Sequence, residues 1–277
     1  MNLEKLCLTL QPIKKLSIMA DQIILDSHGE MLMQQYQERK AVYERMDKIV
    51  FDKLRWTLKE NGLYVNAIEH RIKTEKSLRG KLELKGAKYN SLSDITDILG
   101  LRIITFYTDD VDKVAAIVKH IFEVDWDESV DKRKLHDLTS FGYNSLHYIC
   151  RIPKNLIYDH MMPELNEFRF ELQMRTALQH VWSTIEHDIG YKGEVRIPKD
   201  YRRQFSRLAG MLELVDDEFS RLRTTLTDYR RRMQALVASG QLDEASLDTD
   251  SFRSYLEMKP FDRLNRRIAA ANQAEVY

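Results

Sequence analysis

Two short stretches carry hydroxyl, imidazole and carboxylate groups of the kind that do chemistry. "FGYNSLHYICRIP" (141–153) presents Tyr143, Ser145 and His147 at a turn and strand start, and "FRFELQMRT" (168–176) carries Glu171. Strand alternation sends Arg169, Glu171, Gln173 and Arg175 to one face, and Phe168, Phe170, Leu172 and Met174 to the other. It likewise parts Ser145 and His147 from Leu146 and Tyr148. If the two polar rows share a sheet face, they line a cleft; a plain amphipathic strand with a solvated outer face gives the same pattern.

A second carboxylate source lies upstream in "SDITDILGLRI", which supplies Asp94, Asp97 and Arg102. An Asp there is either a turn former or, paired with Glu171, half of a carboxylate pair for Mg²⁺, which leaves positions for nucleotide phosphates. "HRIKTEKSLRGKLELK" (70–85) gathers Arg71, Lys73, Lys76, Arg79, Lys81 and Lys85 around Ser77. This run is either a solvated basic helix face or a triphosphate clamp, since Arg forks and Lys point charges both suit phosphate oxygens. No P-loop motif, GxSxG elbow or HExxH pair occurs, and the remaining histidines lack metal-ligand spacing.

These residues need elements to position them. From His28 to Gly62 a proline-free run repeats Leu32, Tyr36, Tyr43, Met46, Val50, Leu54 and Leu58 at helical spacing, with Gly62 as its stop. "GLRIITFYT" (100–108), "SLHYICRI" (145–152) and "FRFELQMRT" (168–176) read as three strands. Between the first two, Val111, Val114, Ile117, Val118 and Ile121 mark a crossover helix. After the third, Leu178, Val181, Ile185 and Ile189 predict the buried face of another helix. A long charged helix spans Lys199 to about Ala238, expected to pack through Phe205, Leu208, Leu212, Val215, Phe219 and Leu222. "SGQLDEASLDTDS" reads as a linker before a final helical stretch.

Lys+Arg and Asp+Glu are both 43, so any phosphate affinity must come from local patches rather than from a global field. Cys7 and Cys150 are the only cysteines and have no CxxC partner, which suggests neither a disulfide framework nor zinc and fits a reducing cytoplasm. No apolar stretch approaches the ~18 residues of a membrane span, so the expectation is a cytosolic protein without membrane contact.

Taken in order, "RIKTEKS", "DILGLRI", "GYNSLH", "ELQMRT" and "WSTIEHDIGYK" closely resemble the synthetase domain of the RelA/SpoT family, over roughly residues 45–195. The resemblance implies an α+β fold: a nucleotidyltransferase-like mixed β-sheet flanked by helices, with helical extensions at 1–44 and 196–277. It also implies transfer of pyrophosphate from ATP to the ribose 3′-hydroxyl of GDP or GTP with release of AMP, Mg²⁺ being the cofactor.

Carried over residue by residue, Asp97 and Glu171 would be catalytic and bind the metal. Arg71, Lys73, Ser77, Arg102, Gln173 and Arg175 would hold ATP. Tyr143 would stack on the acceptor base, with Ser145, His147, Lys132 and Lys134 nearby. Trp182 and Tyr191 would pack, leaving His187 and Lys192 beside the site. Many members have a Pro-Lys pair just before the Gly-Tyr, whereas this chain has "DKRKLHDLTSFGY". The acceptor therefore stays open between a guanine nucleotide, an adenine nucleotide and the 3′ end of tRNA, the last being the toxin reading. Another protomer or an antitoxin protein could bind the C-terminal helices. No HD-type hydrolase site can be assembled before Arg71, so product breakdown is not expected. A non-enzymatic nucleotide- or partner-binding relative is the other class, against which both carboxylates argue.

Overall fold

The computed structural model describes residues 24–134, 145–157, 163–191 and 199–272. Helix α1 (Ser27–Glu60) begins where the Asp26 side chain accepts a hydrogen bond from the Gly29 amide at 2.7 Å. It ends just before Gly62, whose φ of +63° is the left-handed conformation that glycine adopts freely. Its apolar stripe from Leu32 to Leu58 is buried as the spacing implies. α1 runs unbroken across residue 44, and Leu32 and Tyr36 belong to the same core as Val50 and Leu54.

Five strands form one mixed sheet: β1 (Ala67–Ile72), β2 (Leu99–Thr105), β3 (Glu123–Asp131), β4 (Leu146–Arg151) and β5 (Phe170–Thr176), in the order β1-β2-β5-β4-β3. Only β2 and β5 run parallel; the other pairs are antiparallel. One face carries Leu99, Leu101, Ile103, Leu146, Tyr148, Cys150, Phe170, Leu172 and Met174 into the core. It packs with α1, with Leu78 and Leu82 of α2 (Glu75–Lys85), and with Val111, Val114 and Val118 of α3 (Thr108–Ile121). The mixed α+β architecture is thus as expected.

Two of the five strands were not foreseen, and both lie at sheet edges. β1 reads "AIEHRI" and β3 reads "EVDWDESVD", so charged residues mask the strand signal. Edge strands tolerate such charges because only one side of their ladder is paired. β3 also carries an irregularity between Asp125 and Val130.

The helices after β5 differ from expectation in their faces. On α4 (Ala177–Tyr191), Val181, Ile185 and Ile189 are exposed, while Trp182 is buried and donates its indole N–H to the Phe205 carbonyl. On α5 (Lys199–Ala238), Leu208, Val215, Phe219 and Leu222 are exposed and Phe205 and Leu212 half-buried; Ala209, Asp216, Met233 and Val237 are the buried residues. Polar anchors tie α5 to the sheet layer. Thr176 donates to Asp216 at 2.5 Å, and Arg223 reaches Asp109 and Asp110 while lying 4.0 Å over the Tyr107 ring. Two short helices follow, α6 (Thr249–Glu257) and α7 (Asp262–Asn272). No helix among the described residues is long and apolar enough to cross a membrane.

Candidate active site

The sheet face opposite the core carries polar residues in register. Arg71 of β1 pairs with Gly100 of β2, which pairs with Glu171 of β5. One step along, Glu69, Arg102, Gln173 and His147 form the parallel row. A cleft of about 330 Å³ opens over these rows, lined by Glu69, Arg71, Asp97, Gly100, Arg102, Glu171 and Gln173. A Cβ built on Gly100 would meet nothing within 4 Å, so the glycine keeps the cleft floor open rather than relieving a packing clash.

Asp97 occupies the turn before β2, and local bonds fix the lysines around it. Lys73 is pinned through its backbone: its N–H donates to the Ile98 carbonyl at 2.7 Å, and its carbonyl accepts the Tyr36 hydroxyl at 2.7 Å. Its ammonium then lies 2.9 Å from Asp97 Oδ2, while that of Lys81 lies 2.6 Å from Oδ1. Burial pushes the Asp97 carboxyl up, but the two lysines outweigh it and hold the group below the usual carboxylate range. Thr74 caps α2, so Ser77 falls in its first turn and Lys81 one turn later on the same side. Lys73, Lys76, Ser77, Lys81, Lys85 and Asp97 line a second cleft of about 780 Å³, and Asp97 belongs to both clefts. Lys81 was only one of the basic cluster in the sequence; its signal is the four-residue step from Ser77. Of the two upstream aspartates, Asp94 is the turn former, accepting from the Asn90 and Ser91 amides at 2.8 and 3.0 Å.

Glu171 is held by different chemistry. His147 Nδ1 lies 2.9 Å from its Oε1, and Gln173 donates to its Oε2 at 3.1 Å. Burial raises the Glu171 carboxyl, yet the His147 contact, helped by Gln173, brings it below the ordinary value against the repulsion of Asp97. Ser145 was expected to reach the acceptor; instead it is fully buried, with its hydroxyl 2.6 Å from His147 Nε2. Arg175 was expected beside ATP but is 2% exposed, its guanidinium 2.9 Å from His180 on α4. Arg102 does line the cleft, donating to Glu69 at 2.8 Å. Glu69 escaped the sequence reading because an acid on a charged edge strand looks like surface.

On the acceptor side, Lys132 begins the turn after β3, where its amide donates to the Ser145 carbonyl at 3.0 Å. Arg133 is consumed by Asp131 and Asp112, both at 2.9 Å. Tyr143, Lys192 and the side chains of Lys134 and Tyr191 lie outside the described residues.

Two carboxylates kept ionised beside one cleft suit Mg²⁺, a hard cation satisfied by one or two carboxylates with water and phosphate oxygens. No cluster of three or more potential metal-ligating side chains occurs among the described residues.

Residues 70–196 match the model for a region found in RelA/SpoT proteins. The chain is 24% identical over 188 residues to the GTP pyrophosphokinase YjbM of Bacillus subtilis, covering 67% of this chain and 84% of the relative. With the GTP pyrophosphokinase YwaC of the same organism it shares 29% over 163 residues, 55% of this chain and 72% of the relative. Its fold matches the crystal structure of small alarmone synthetase 1 from Bacillus subtilis with a TM-score of 0.57 at 24% identity, covering 70% of this chain and 98% of that one. That synthetase is also known bound to its product pppGpp and to AMPCPP, at TM-scores of 0.54 and 0.51. Residues 70–196 therefore match a RelA/SpoT region, and the chain is similar to the small alarmone synthetases over about two thirds of its length.

Proposed function

We propose that this chain is an ATP-dependent pyrophosphokinase that makes a guanosine alarmone. The observation that carries the reading is Asp97, which lines both a carboxylate cleft shared with Glu171 and a lysine-rich cleft at the start of α2. The lysine-rich cleft suits a triphosphate: Lys73 and Lys81 offer ammonium groups and Ser77 a hydroxyl near a helix N-terminus. Arg71 and Arg102 face the neighbouring cleft with guanidinium planes on which adenine can stack.

In the reaction, the acceptor 3′-oxygen attacks the β-phosphorus of ATP. The bridging α,β P–O bond breaks, and AMP leaves with the electron pair. Glu171 takes the 3′-hydroxyl proton, and Gln173 steadies the carboxylate. Mg²⁺, when bound at Asp97 and Glu171, supplies charge neutralisation for the transferring group. Positioning and electrostatics suffice, so no covalent nucleophile is needed. Tyr143, Lys132 and Lys134 would form the acceptor platform.

The test offers ATP labelled at the γ-phosphate together with GDP, GTP, an adenine nucleotide or deacylated tRNA, using Asp97→Ala as control. Label on GDP or GTP, absent in the variant, supports the reading. Label on tRNA would make the chain a translation-blocking toxin, and label on adenine nucleotide an adenosine-alarmone enzyme. No transfer would leave a nucleotide- or partner-binding relative.

A further inference from the structure

Ser145, His147 and Glu171 lie in the order of a hydrolase triad, with 2.6 Å from the Ser145 hydroxyl to His147 Nε2 and 2.9 Å from His147 Nδ1 to Glu171 Oε1. The serine cannot be a nucleophile, because it is fully buried. The direction of the hydrogen bonds can be worked out from the carboxylate end. An ionised carboxylate only accepts, so the proton between His147 and Glu171 belongs to Nδ1. A neutral ring protonated at Nδ1 presents a lone pair at Nε2, and the Ser145 hydroxyl is placed to donate to it. Gln173 donates to the other carboxylate oxygen, so each oxygen of Glu171 is held by one strand-borne donor. In the sheet, His147 is paired with Gln173, and Glu171 is paired with Ile149 on the same strand as His147. The carboxylate is therefore clamped diagonally by two neighbours whose backbones are fixed in the ladder.

We propose that His147 and Ser145 are positioning residues: the Glu171 carboxylate fixes the His147 tautomer, the buried Ser145 hydroxyl holds the far edge of the ring at Nε2, and the ring so held orients the Glu171 carboxylate toward the acceptor hydroxyl. This differs from a direct contact of either residue with the acceptor. It rests on the pyrophosphokinase reading for its catalytic consequence, but the tautomer is a property of the protein alone. Orientation of a ligating or catalytic group by a hydrogen-bonded neighbour commonly affects activity by ~10–100-fold.

Two measurements decide it. Long-range ¹H–¹⁵N spectra of the imidazoles at a single neutral pH, assigned with a His147 variant, should show His147 protonated at Nδ1 and bare at Nε2, with the Nε2 resonance shifted in Ser145→Ala as it loses the hydroxyl's hydrogen bond. A ring protonated at Nε2 overturns the proposal. Steady-state kinetics then use His147→Asn, whose amide donor replaces Nδ1–H, against His147→Gln, whose donor falls near the Nε2 position. The expected result is a kcat about 100-fold below parent for Gln, partial recovery for Asn, and KM for the acceptor changed less than about threefold in both. Ser145→Ala should lower kcat about tenfold and Ser145→Thr should restore it. Equal loss in Asn and Gln, or a rise in acceptor KM at unchanged kcat, overturns the proposal in favour of direct acceptor contact. Should Gln fail to fold by thermal melting, the Ser145 pair carries the kinetic test. A parent that transfers no pyrophosphate defeats the reading of the function, while the spectra still decide the hydrogen-bond relay.

Discussion

Asp97 and Glu171 face one cleft and are both held below the ordinary carboxylate range, yet by opposite means. Asp97 is neutralised by two ammonium groups on long, flexible stems. Glu171 is held by an imidazole and an amide on adjoining strands. Lysines can leave a carboxylate for a phosphate by rotating side chains, so the Asp97 end is built to exchange cations. Groups anchored in a sheet ladder cannot move away without disturbing the strands, so the Glu171 end is built to hold one carboxylate geometry. A site can thus keep two acids charged and still assign them different tasks.

Neutralising each acid in turn should separate those tasks and gives the largest effect. Asp97→Asn and Glu171→Gln are each expected to lower kcat about a thousandfold in the labelled-ATP assay. Their stabilities should diverge. Asp97→Asn leaves Lys73 and Lys81 facing each other without their shared counter-charge, which should cost about 1–2 kcal/mol in a denaturant melt. Glu171→Gln keeps its oxygen toward His147 and, with the Gln173 amide turned over, donates its new amide N–H to the Gln173 oxygen, so it should melt near the parent. Equal destabilisation would erase the contrast between the two ends.

Cation exchange at Asp97 makes a second, smaller prediction. In the free protein the two lysines occupy both carboxylate oxygens, so a divalent ion must displace them unless nucleotide phosphates draw them off. Mn²⁺ titrated alone and followed by electron paramagnetic resonance should therefore bind weakly, and more tightly with ATP present. Lys81→Met, which removes the closer ammonium at 2.6 Å, should tighten nucleotide-free Mn²⁺ binding about tenfold. Unchanged or weaker binding would mean that the lysines do not compete for Asp97.

These two ends were unequally legible in the sequence. The interior strands β2, β4 and β5 announced themselves because buried, β-branched alternation is a strong local pattern, and Glu171 could be assigned to the polar face from it. β1 and β3 did not, since edge strands carry the charges that a basic helix or loop would carry. With β1 unseen, Glu69 and Arg71 could not be placed opposite Arg102 and Gly100. The partners of Asp97 were also hidden, because Lys73 reaches it from the end of β1, where its amide bonds the Ile98 carbonyl, and Lys81 reaches it from the second turn of α2. Helical periodicity erred differently: Val181, Ile185 and Ile189 do form a stripe on α4, but the stripe is exposed. Spacing reveals that apolar residues share a face and says nothing about what covers it. Ser145 and Arg175 lie on the expected polar alternation, yet neighbours bury them, and alternation cannot report depth.

Gly100 lies between the two ends and tests whether they share one floor. Its Cβ position is empty, so Gly100→Ala should leave the melting temperature within about 2 °C of parent while raising KM for nucleotide about tenfold. A change in stability without a change in KM would reassign the glycine to strand geometry.

A third acid, away from the cleft, gives the smallest effect and sharpens the rule behind the other two. Asp216 on α5 is buried, accepts one hydrogen bond from Thr176, and has its Oδ1 buried without a partner. With no lysine or imidazole paired to it among the described residues, burial dominates and its carboxyl is pushed up to about 6, the Thr176 bond opposing and Asp217 adding to the rise. The sign is therefore opposite to that of the pair in the cleft. Stability from Asp97 and Glu171 is present above the ordinary carboxylate pKa and lost as pH falls through their lowered values. The contribution of a protonated Asp216 is present at low pH and lost as pH rises through about 6. Asp216→Asn should accordingly match the parent in denaturant melts near pH 4 and gain on it between pH 5 and 7, by at most about 3 kcal/mol. Pyrophosphate transfer should be unchanged, since Asp216 lines neither cleft. Parallel stability curves for the two proteins would mean that the Thr176 hydroxyl alone keeps the buried acid charged, and that a cation is not what distinguishes Asp97.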